Sequence, residues 1–492
     1  MISGIFVART RSVIDSRSGS AWTSLSLALS QKLCGLGLIA TLVLSTGCAG
    51  HSAKTLEARA ALDNNNPENA RNLLNKELKV KGANEIPVKE KKGTPLLVLD
   101  RGAISQSLRD YESSSSDLQY ADKKVEMLDM SRTAVDDIGK YLFSDDTGPY
   151  KAPPYEKVMI NTVNMQNYLA AHDMNGARVE ARRMSIIQDY LKENKNPAIA
   201  LNAPGSYLAG FVFERSGRAD IALRYYDEAI ALVDFQTLAE PIIRLSAQSA
   251  YSSDRLRKYI ETQKAKGGAS LTPSSADATP APAGDEQWGD VLIMINYGRI
   301  PAKVARRIPI GLALTFATAF MSAASTTTAN RLAAQGLVTW VNFPDMEESK
   351  RTLSVPEAHV DGLSIVLEGA AAIDLAARNV YEQEKGRIIA AAITRMIARV
   401  VAGEAAGAAA RAASNDSVVG ALVSVATQAT LVAADTPDTR SWSMLPARMA
   451  VARLRLPPGE HTLEWKVQGT VHKETFVLDP GGWHAGLMTV LR

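Results

Sequence analysis

The stretch 205–230 reads GSYLAGFVFERSGRADIALRYYDEAI, and its spacing decides the fold of half the chain. A small residue, Gly210, is followed three places later by an aromatic, Phe213. Gly217 then punctuates the run, and Ala222, Tyr226 and Ala229 follow. The apolar positions on either side of Gly217 recur with a period near 3.6, so the stretch predicts two helices joined by a glycine turn. Gly210 and Ala222 fall where the two helices must cross, and only small side chains permit that approach. Phe213 and Tyr226 are expected to fill the space towards neighbouring hairpins.

These offsets match the tetratricopeptide (TPR) pattern, and the pattern recurs. Upstream, Tyr168, the turn Ala171-His172-Asp173, Ala177 and Ala181 hold equivalent places. Ala177 and Ala222 are 45 residues apart, which implies an insertion around 194–204. Weaker copies surround Gly102, Asp110-Tyr111 and Leu118, and then Leu56, Leu62, Asn66-Pro67-Glu68-Asn69-Ala70 and Leu74. That makes four copies, two clear and two degenerate. One hairpin cannot bury its own apolar face, so stacked neighbours are required.

Length and composition set the outer bounds. The chain has 492 residues, of which 46% are hydrophobic and 22% charged. It is too apolar for disorder throughout. Lys plus Arg number 55 against 52 Asp plus Glu, and the net charge of +3 advertises no nucleic-acid surface. Two cysteines exclude a disulfide framework and a multi-cysteine zinc site.

The N-terminus reads as an export signal. A polar lead over 1–31 contains Arg9, Arg11 and Arg17, and Lys32 precedes the apolar run LCGLGLIATLVL at 33–44. Twelve residues are too few for a span of ~20 and suit a secretion signal. Ser45-Thr46-Gly47-Cys48 follows and resembles a bacterial lipobox, with Ser45 where the pattern prefers Leu. The resemblance implies lipidation of Cys48 after removal of residues 1–47. Ala49, where inner-membrane retention would place Asp, resembles the outer-membrane sorting pattern. The expected location is therefore the outer membrane, lipid-anchored and facing the periplasm.

Four segments follow: a lipoprotein signal peptide at 1–47, a TPR-like helical domain at 48–262, an Ala/Pro/Ser/Gly linker at 263–287, and a C-terminal α+β domain at 288–492. The linker composition cannot bury enough apolar area to order itself. The fold class expected is α+β. An N-terminal α-solenoid precedes a β-sandwich-like domain carrying long Ala-rich helical insertions. DVLIMINY at 290–297 and GLVTWVNF at 336–343 read as strands. Met449-x-Val451, Leu454-x-Leu456, the turn Pro457-Pro458-Gly459, His461-x-Leu463-x-Trp465-x-Val467, 471–478 and 484–491 predict a meander. Gly481-Gly482 reads as a turn. IGLALTFATAFMSAA at 310–324 and VVGALVSVATQATLVAA at 418–434 are nearly charge-free, and each reads as a buried or oligomer-contact helix, or as one that meets lipid. Over 387–413, Ile389, Ile393, Ile397 and Val400 form a stripe that leaves Arg395 and Arg399 elsewhere on the surface. Gly403-x-x-x-Gly407 permits close helix approach.

At 151–188 the chain resembles a family of poorly characterised bacterial TPR-containing lipoproteins. The matching residues are Tyr155-Glu156-Lys157-Val158-Met159, Asn167-Tyr168-Leu169, Ala177, Val179-Glu180-Ala181-Arg182-Arg183, and later Asp438-Thr439-Arg440-Ser441-Trp442 and Leu445-Pro446. His172-Asp173 stands where the family has Gly-Asp. The resemblance implies an envelope lipoprotein, with relatives linked to lipoprotein partners of peptidoglycan synthases. It implies no catalytic activity.

The residues offer little chemistry. None of the six histidines has metal-pair spacing, although His461 and His472 could face each other across a hairpin. No nucleophile elbow and no phosphate loop appears. Asp145-Asp146 and Glu347-Glu348 read as solvating loops. No enzyme, no cofactor and no metal is expected. Binding is the expected activity. In the repeat register Tyr207, Phe211 and Glu214 face a partner-binding groove, with Thr162, Gln166 and Leu169 beside them. No Lys/Asn clamp for a C-terminal carboxylate occurs there. The expected function is a non-catalytic envelope scaffold that binds an envelope protein through this groove, with a C-terminal domain that binds a second partner or self-associates. The alternative is an oligomeric, membrane-associated export or assembly component built on the two apolar helices.

Overall fold

The computed structural model describes residues 50–127, 148–193, 197–265, 287–348, 352–414, 417–418, 420–424 and 435–492. Cys48, Asp145-Asp146, most of the linker and the greater part of 418–434 lie outside them. A short helix α1 (His51–Lys54) precedes ten more in pairs: α2 (Leu56–Asp63) with α3 (Pro67–Leu78), α4 (Thr94–Ser107) with α5 (Tyr111–Lys124), α6 (Pro154–Ala170) with α7 (Met174–Glu193), α8 (Asn202–Arg215) with α9 (Ala219–Ile230), and α10 (Ala239–Ser246) with α11 (Asp254–Ala265).

The four repeats read from the sequence share one turn. Asn65, Arg109, His172 and Gly217 each sit at positive φ, between 56° and 71°. In each case the next residue donates its backbone N–H five residues back, to Ala61 O, Ser105 O, Tyr168 O and Phe213 O. This is a Schellman closure repeated four times. Asn66 and Asp110 then cap the second helix by accepting from the N–H groups of Asn69 and Ser113. His172 holds one of these left-handed positions, which glycine would adopt without strain. The small residues also behave as expected: a Cβ on Gly210 would enter the Tyr226 ring, and one on Gly102 would lie 3.1 Å from Asp117 Cβ. Tyr226 therefore packs inside its own hairpin, and Phe213 stacks on Tyr225 at 5.5 Å, where the sequence sent both towards neighbouring hairpins.

Twelve strands are described. The two-residue strands β1 (Glu126–Met127) and β2 (Lys151–Ala152) pair in parallel. β3 (Gly289–Arg299), β8 (Glu368–Ala372), β9 (Pro446–Leu456) and β12 (Trp483–Val490) form a sheet of order β12-β3-β9-β8, with β12 parallel to β3. β6 (Glu357–Val360), β7 (Leu363–Ile365), β10 (Gly459–Val467) and β11 (Thr470–Leu478) form a second sheet of order β11-β10-β6-β7. The expected meander is thus confined to the β10–β11 hairpin, because β9 and β12 both leave it to flank β3. The reason is burial: 291–295 is apolar on both faces and needs a strand on each side and a layer above and below. Val291, Ile293 and Ile295 face the second sheet with Leu463, Trp465 and Val467. Leu292 and Met294 face the helices, in one core with Leu99, Val163 and Phe211.

β4 (Lys303–Pro309) and β5 (Trp340–Met346) form a separate ribbon. It shares a third core with α12 (Ile310–Ala317), α13 (Ala323–Ala334) and the 42-residue α14 (Ile373–Ser414). The apolar segment 310–324 is therefore not one helix: α12 ends at a 3-10 turn and α13 begins at the Ser322 cap. The strand expected at 336–343 begins at Trp340, because Gly336 (φ 69°) ends α13. Arg395 and Arg399, expected at the surface, are buried on Asp435 at 3.1 and 2.6 Å. The close approach expected of Gly407 is made by Gly420, whose carbonyl would lie 2.7 Å from a Cβ there. No helix among the described residues is long and apolar enough to cross a membrane.

The chain divides after Cys48, and residues 49–492 form one compact unit. The helical and β-containing halves, read as separate domains, share a core within it. The first three positions of the expected linker, 263–265, are the last turn of α11.

Candidate functional site: the inner face of the helical hairpins

The six groove residues lie together on the inner side of α6 and α8, and the face they form is occupied by this chain's own sheet. Tyr207, Phe211, Thr162 and Leu169 have no exposure, and Gln166 and Glu214 are also buried. Three of them bind the sheet directly. Gln166 Nε2 donates to Asn296 Oδ1 at 3.2 Å, and Asn296 Nδ2 donates back to Gln166 Oε1 at 2.7 Å. Phe211 lies under the Arg453 guanidinium at 5.1 Å and meets the Trp483 ring edge-on at 5.9 Å. Glu214 accepts from Arg453 at 2.7 and 2.9 Å. The other three stay among helices. Tyr207 shares a 2.9 Å hydrogen bond with Thr237, Thr162 donates to Val158 O at 2.9 Å, and Leu169 is core.

The fit follows from period two. On β3 the side chains facing the helices are Asp290, Leu292, Met294 and Asn296, so two apolar residues are bracketed by two polar ones. Each bracket meets polar partners on the helices. Asp290 accepts from Arg215 at 2.8 Å and from Arg453 at 2.8 Å. Asn296 donates to Gln106 Oε1 at 3.0 Å, and Thr489 donates to the same oxygen at 2.8 Å. Gln106 in turn donates to Asn167 Oδ1 at 2.8 Å, and Asn167 donates to the Ser114 hydroxyl at 2.8 Å. A one-residue slip of β3 would turn both brackets away, so the amide cluster and the ion cluster fix its register.

The ion cluster is the most strongly perturbed part of the interface. Glu214 is buried, which alone would raise its pKa. Arg453 and Arg244 outweigh that burial and bring its carboxyl down to about 2. Burial opposes the charge on Arg453, but Asp290 and Glu214 hold it protonated. Other buried carboxylates are likewise held by structural partners. Asp117 takes Arg101 at 2.6 Å. Asp100 accepts from the Met444 N–H at 2.9 Å and pairs with His51 at 2.9 Å. Glu156 accepts from Tyr150 at 2.5 Å and from the Trp442 N–H at 3.1 Å, and burial raises its pKa.

The histidine expectation is corrected by register. His461 lies opposite Phe476 and His472 opposite Trp465, so the two do not meet. His461 instead holds Asp361 at 2.7 Å and Pro457 O at 2.8 Å. The histidines that do gather are His172 and His484, with ring centres 5.6 Å apart, and His172 also stacks against Trp483 at 4.6 Å. Glu347, expected to solvate a loop, pairs with Arg59 at 3.1 Å. Among the described residues no group of three or more His, Cys, Asp or Glu side chains is placed to hold a metal. A cleft of about 170 Å³ is lined in part by Leu62, Arg109, His472, Leu487 and Arg492. It is smaller than the ~300–1,000 Å³ usual for small-molecule sites, and its Arg109 is engaged by Glu474.

Compared with protein-family models, with curated proteins and with solved structures, the chain matches none of them.

Proposed function

We propose that the protein is a non-catalytic scaffold of the bacterial envelope, tethered to the outer membrane by acyl chains on Cys48 and facing the periplasm. In this reading the hairpins are a short TPR-like α-solenoid, and the two sheets are a β-sandwich-like domain clamped onto its inner face. The observation that carries the reading is the coincidence of two boundaries. The compact unit begins at Ala49, and the lipobox-like motif would place cleavage immediately before Cys48. Just after that boundary His51 is buried on Asp100, and Thr55 is fully buried.

Because the Tyr207–Phe211 face is filled from within, protein partners dock elsewhere on the body. The resemblance of 151–188 points to peptidoglycan or envelope biogenesis as their setting. Metabolic labelling with palmitate should mark the intact protein and fail on Cys48→Ala. Mass spectrometry that finds the leader attached and Cys48 unmodified refutes the anchor. Crosslinking in intact envelopes should recover a discrete neighbour. Recovery of none refutes the scaffold role.

An oligomeric assembly component is the second reading. It is favoured by Leu312, Phe316 and Phe320, which stay 41–48% exposed. Gel filtration of the mature Cys48→Ala chain without detergent discriminates, because a monomer removes it.

A further inference from the structure

The segment 303–344, which spans β4, α12, α13 and most of β5, contains Lys303, Arg306, Arg307 and Arg331 and no Asp or Glu. Its helix α12 is apolar on both sides. Ile310, Ala313, Leu314 and Ala317 are buried in the third core. Leu312 and Phe316, four residues apart and so on one side of the helix, face outwards with Phe320 one turn beyond; they are 48%, 43% and 41% exposed. Trp340, opposite Pro309 at the start of α12, is 44% exposed. The cations sit on these rings. Arg307 lies 5.6 Å from the centre of Trp340, Lys385 5.7 Å from Phe316 and Arg387 5.8 Å from Phe320. Lys385 and Arg387 also pair with Glu382 at 3.6 Å and Glu384 at 2.9 Å, so the net positive charge of the face comes from 303–344. A bilayer with anionic headgroups suits both components, because aromatic and aliphatic side chains enter the acyl boundary while arginines stay among phosphates.

The chain start lies close to this arm. The Ser52 N–H donates to Thr439 Oγ1 at 3.4 Å. Four residues earlier, Asp435 accepts from Asn342 of β5 at 3.2 Å and binds Arg395 and Arg399 of α14. Four residues of chain reach at most ~14 Å, and two residues from Gly50 to Cys48 reach ~7 Å. An acylated Cys48 would therefore hold the body against the bilayer beside this face.

The geometry points to 303–344 as a second membrane contact, in which Leu312, Phe316 and Phe320 enter an anionic lipid surface while Arg307 and Arg331 bind its headgroups. The inference extends the anchored reading, and its test is independent of acylation. The mature chain with Cys48→Ser carries no lipid. At low salt it should co-sediment with vesicles of phosphatidylcholine and phosphatidylglycerol and much less with phosphatidylcholine alone. The L312S/F316S/F320S variant should lose at least about tenfold in partition. R307Q/R331Q should lose roughly fivefold per charge on the anionic vesicles, the equivalent of ~1 kcal/mol for each basic residue near such a surface. R307Q/R331Q also serves where the triple variant fails to fold, as read by circular dichroism. Three results overturn the proposal: no partition of the Cys48→Ser chain, which is also the outcome if residues 425–434 of this chain cover the face; equal partition onto both vesicle types; or a dimer in gel filtration that L312S/F316S/F320S dissociates.

Discussion

Arg453→Met removes the cation at the centre of the interface between hairpins and sheet. The Arg453 side chain has no exposure, and one of its nitrogens reaches both Glu214 at 2.7 Å and Asp290 at 2.8 Å. The other reaches Glu214 at 2.9 Å and the Tyr226 hydroxyl at 3.0 Å. The variant leaves two buried carboxylates with one arginine each, Arg244 at 2.5 Å and Arg215 at 2.8 Å. Breaking a buried pair from one side costs about 3–5 kcal/mol, because a desolvated charge is left under-compensated. Linkage gives a figure of the same size. Glu214 is held at about 2 in the fold against ~4.3 when unfolded, and a gap of roughly two units is worth about 3 kcal/mol.

The sign is fixed by the direction of that shift. A depressed carboxylate stabilises above its unfolded pKa, and the stabilisation is lost as pH falls from about 5 towards 2. The gap between wild type and Arg453→Met should therefore be widest at neutral pH and narrow with acid. Urea unfolding at pH 7 and pH 3 measures it with two probes. Circular dichroism follows the helices, and fluorescence follows the C-terminal half, which holds every tryptophan after Cys48. In the wild type the two curves should coincide, because the halves share one core. A pH 7 difference under about 1 kcal/mol, an undiminished gap at pH 3, or separated wild-type transitions refutes the reasoning.

Two further predictions use the same assay. Gly210→Ala should cost about 1–3 kcal/mol by driving a methyl into the buried Tyr226 ring, whereas Gly311→Ala, which meets open space, should cost nothing and gain up to ~1 kcal/mol; equal effects would show that the crossing is not tight. Burial lowers the pKa of His172, helped by His484, and burial also lowers that of His472, helped by Arg109. Both sites therefore favour the neutral ring, and their stability falls as pH drops below the unfolded value of ~6.5. His172→Gly should flatten that slope between pH 6.5 and 5 and relieve about 1 kcal/mol of left-handed strain, and an unchanged slope refutes the assignment.

The hairpins were legible because their signals are local. Gly210 and Ala222 at the helix crossing lie 12 residues apart, and the glycine at 217 sets the turn between them. The turn was legible at Gly217 and at Ala171-His172-Asp173. Its left-handed residue at 65, 109 and 172, and the role of the Asn or Asp that follows, went unread, since Arg109 and His172 do not advertise positive φ. The strands at 289–299 and 446–490 could be placed by composition and alternation. Their partners could not, because period two is the same whether the next strand lies in the same sheet or across a core.

The groove shows the limit most plainly. Tyr207, Phe211, Glu214 and Gln166 were read from the repeat register as the lining of a groove for a partner. Whether that face met water, a partner or this chain depended on Asp290, Asn296 and Arg453, which are 76–287 residues further along the sequence. Arg395 and Arg399 tell the same story: on a lone helix an arginine belongs in solvent, and Asp435 buries these two. Local sequence thus determined the helices and the turns at Gly217 and at Ala171-His172-Asp173. Tertiary structure decided what the hairpins enclose, because burial of a polar group depends on a partner that chain proximity does not specify.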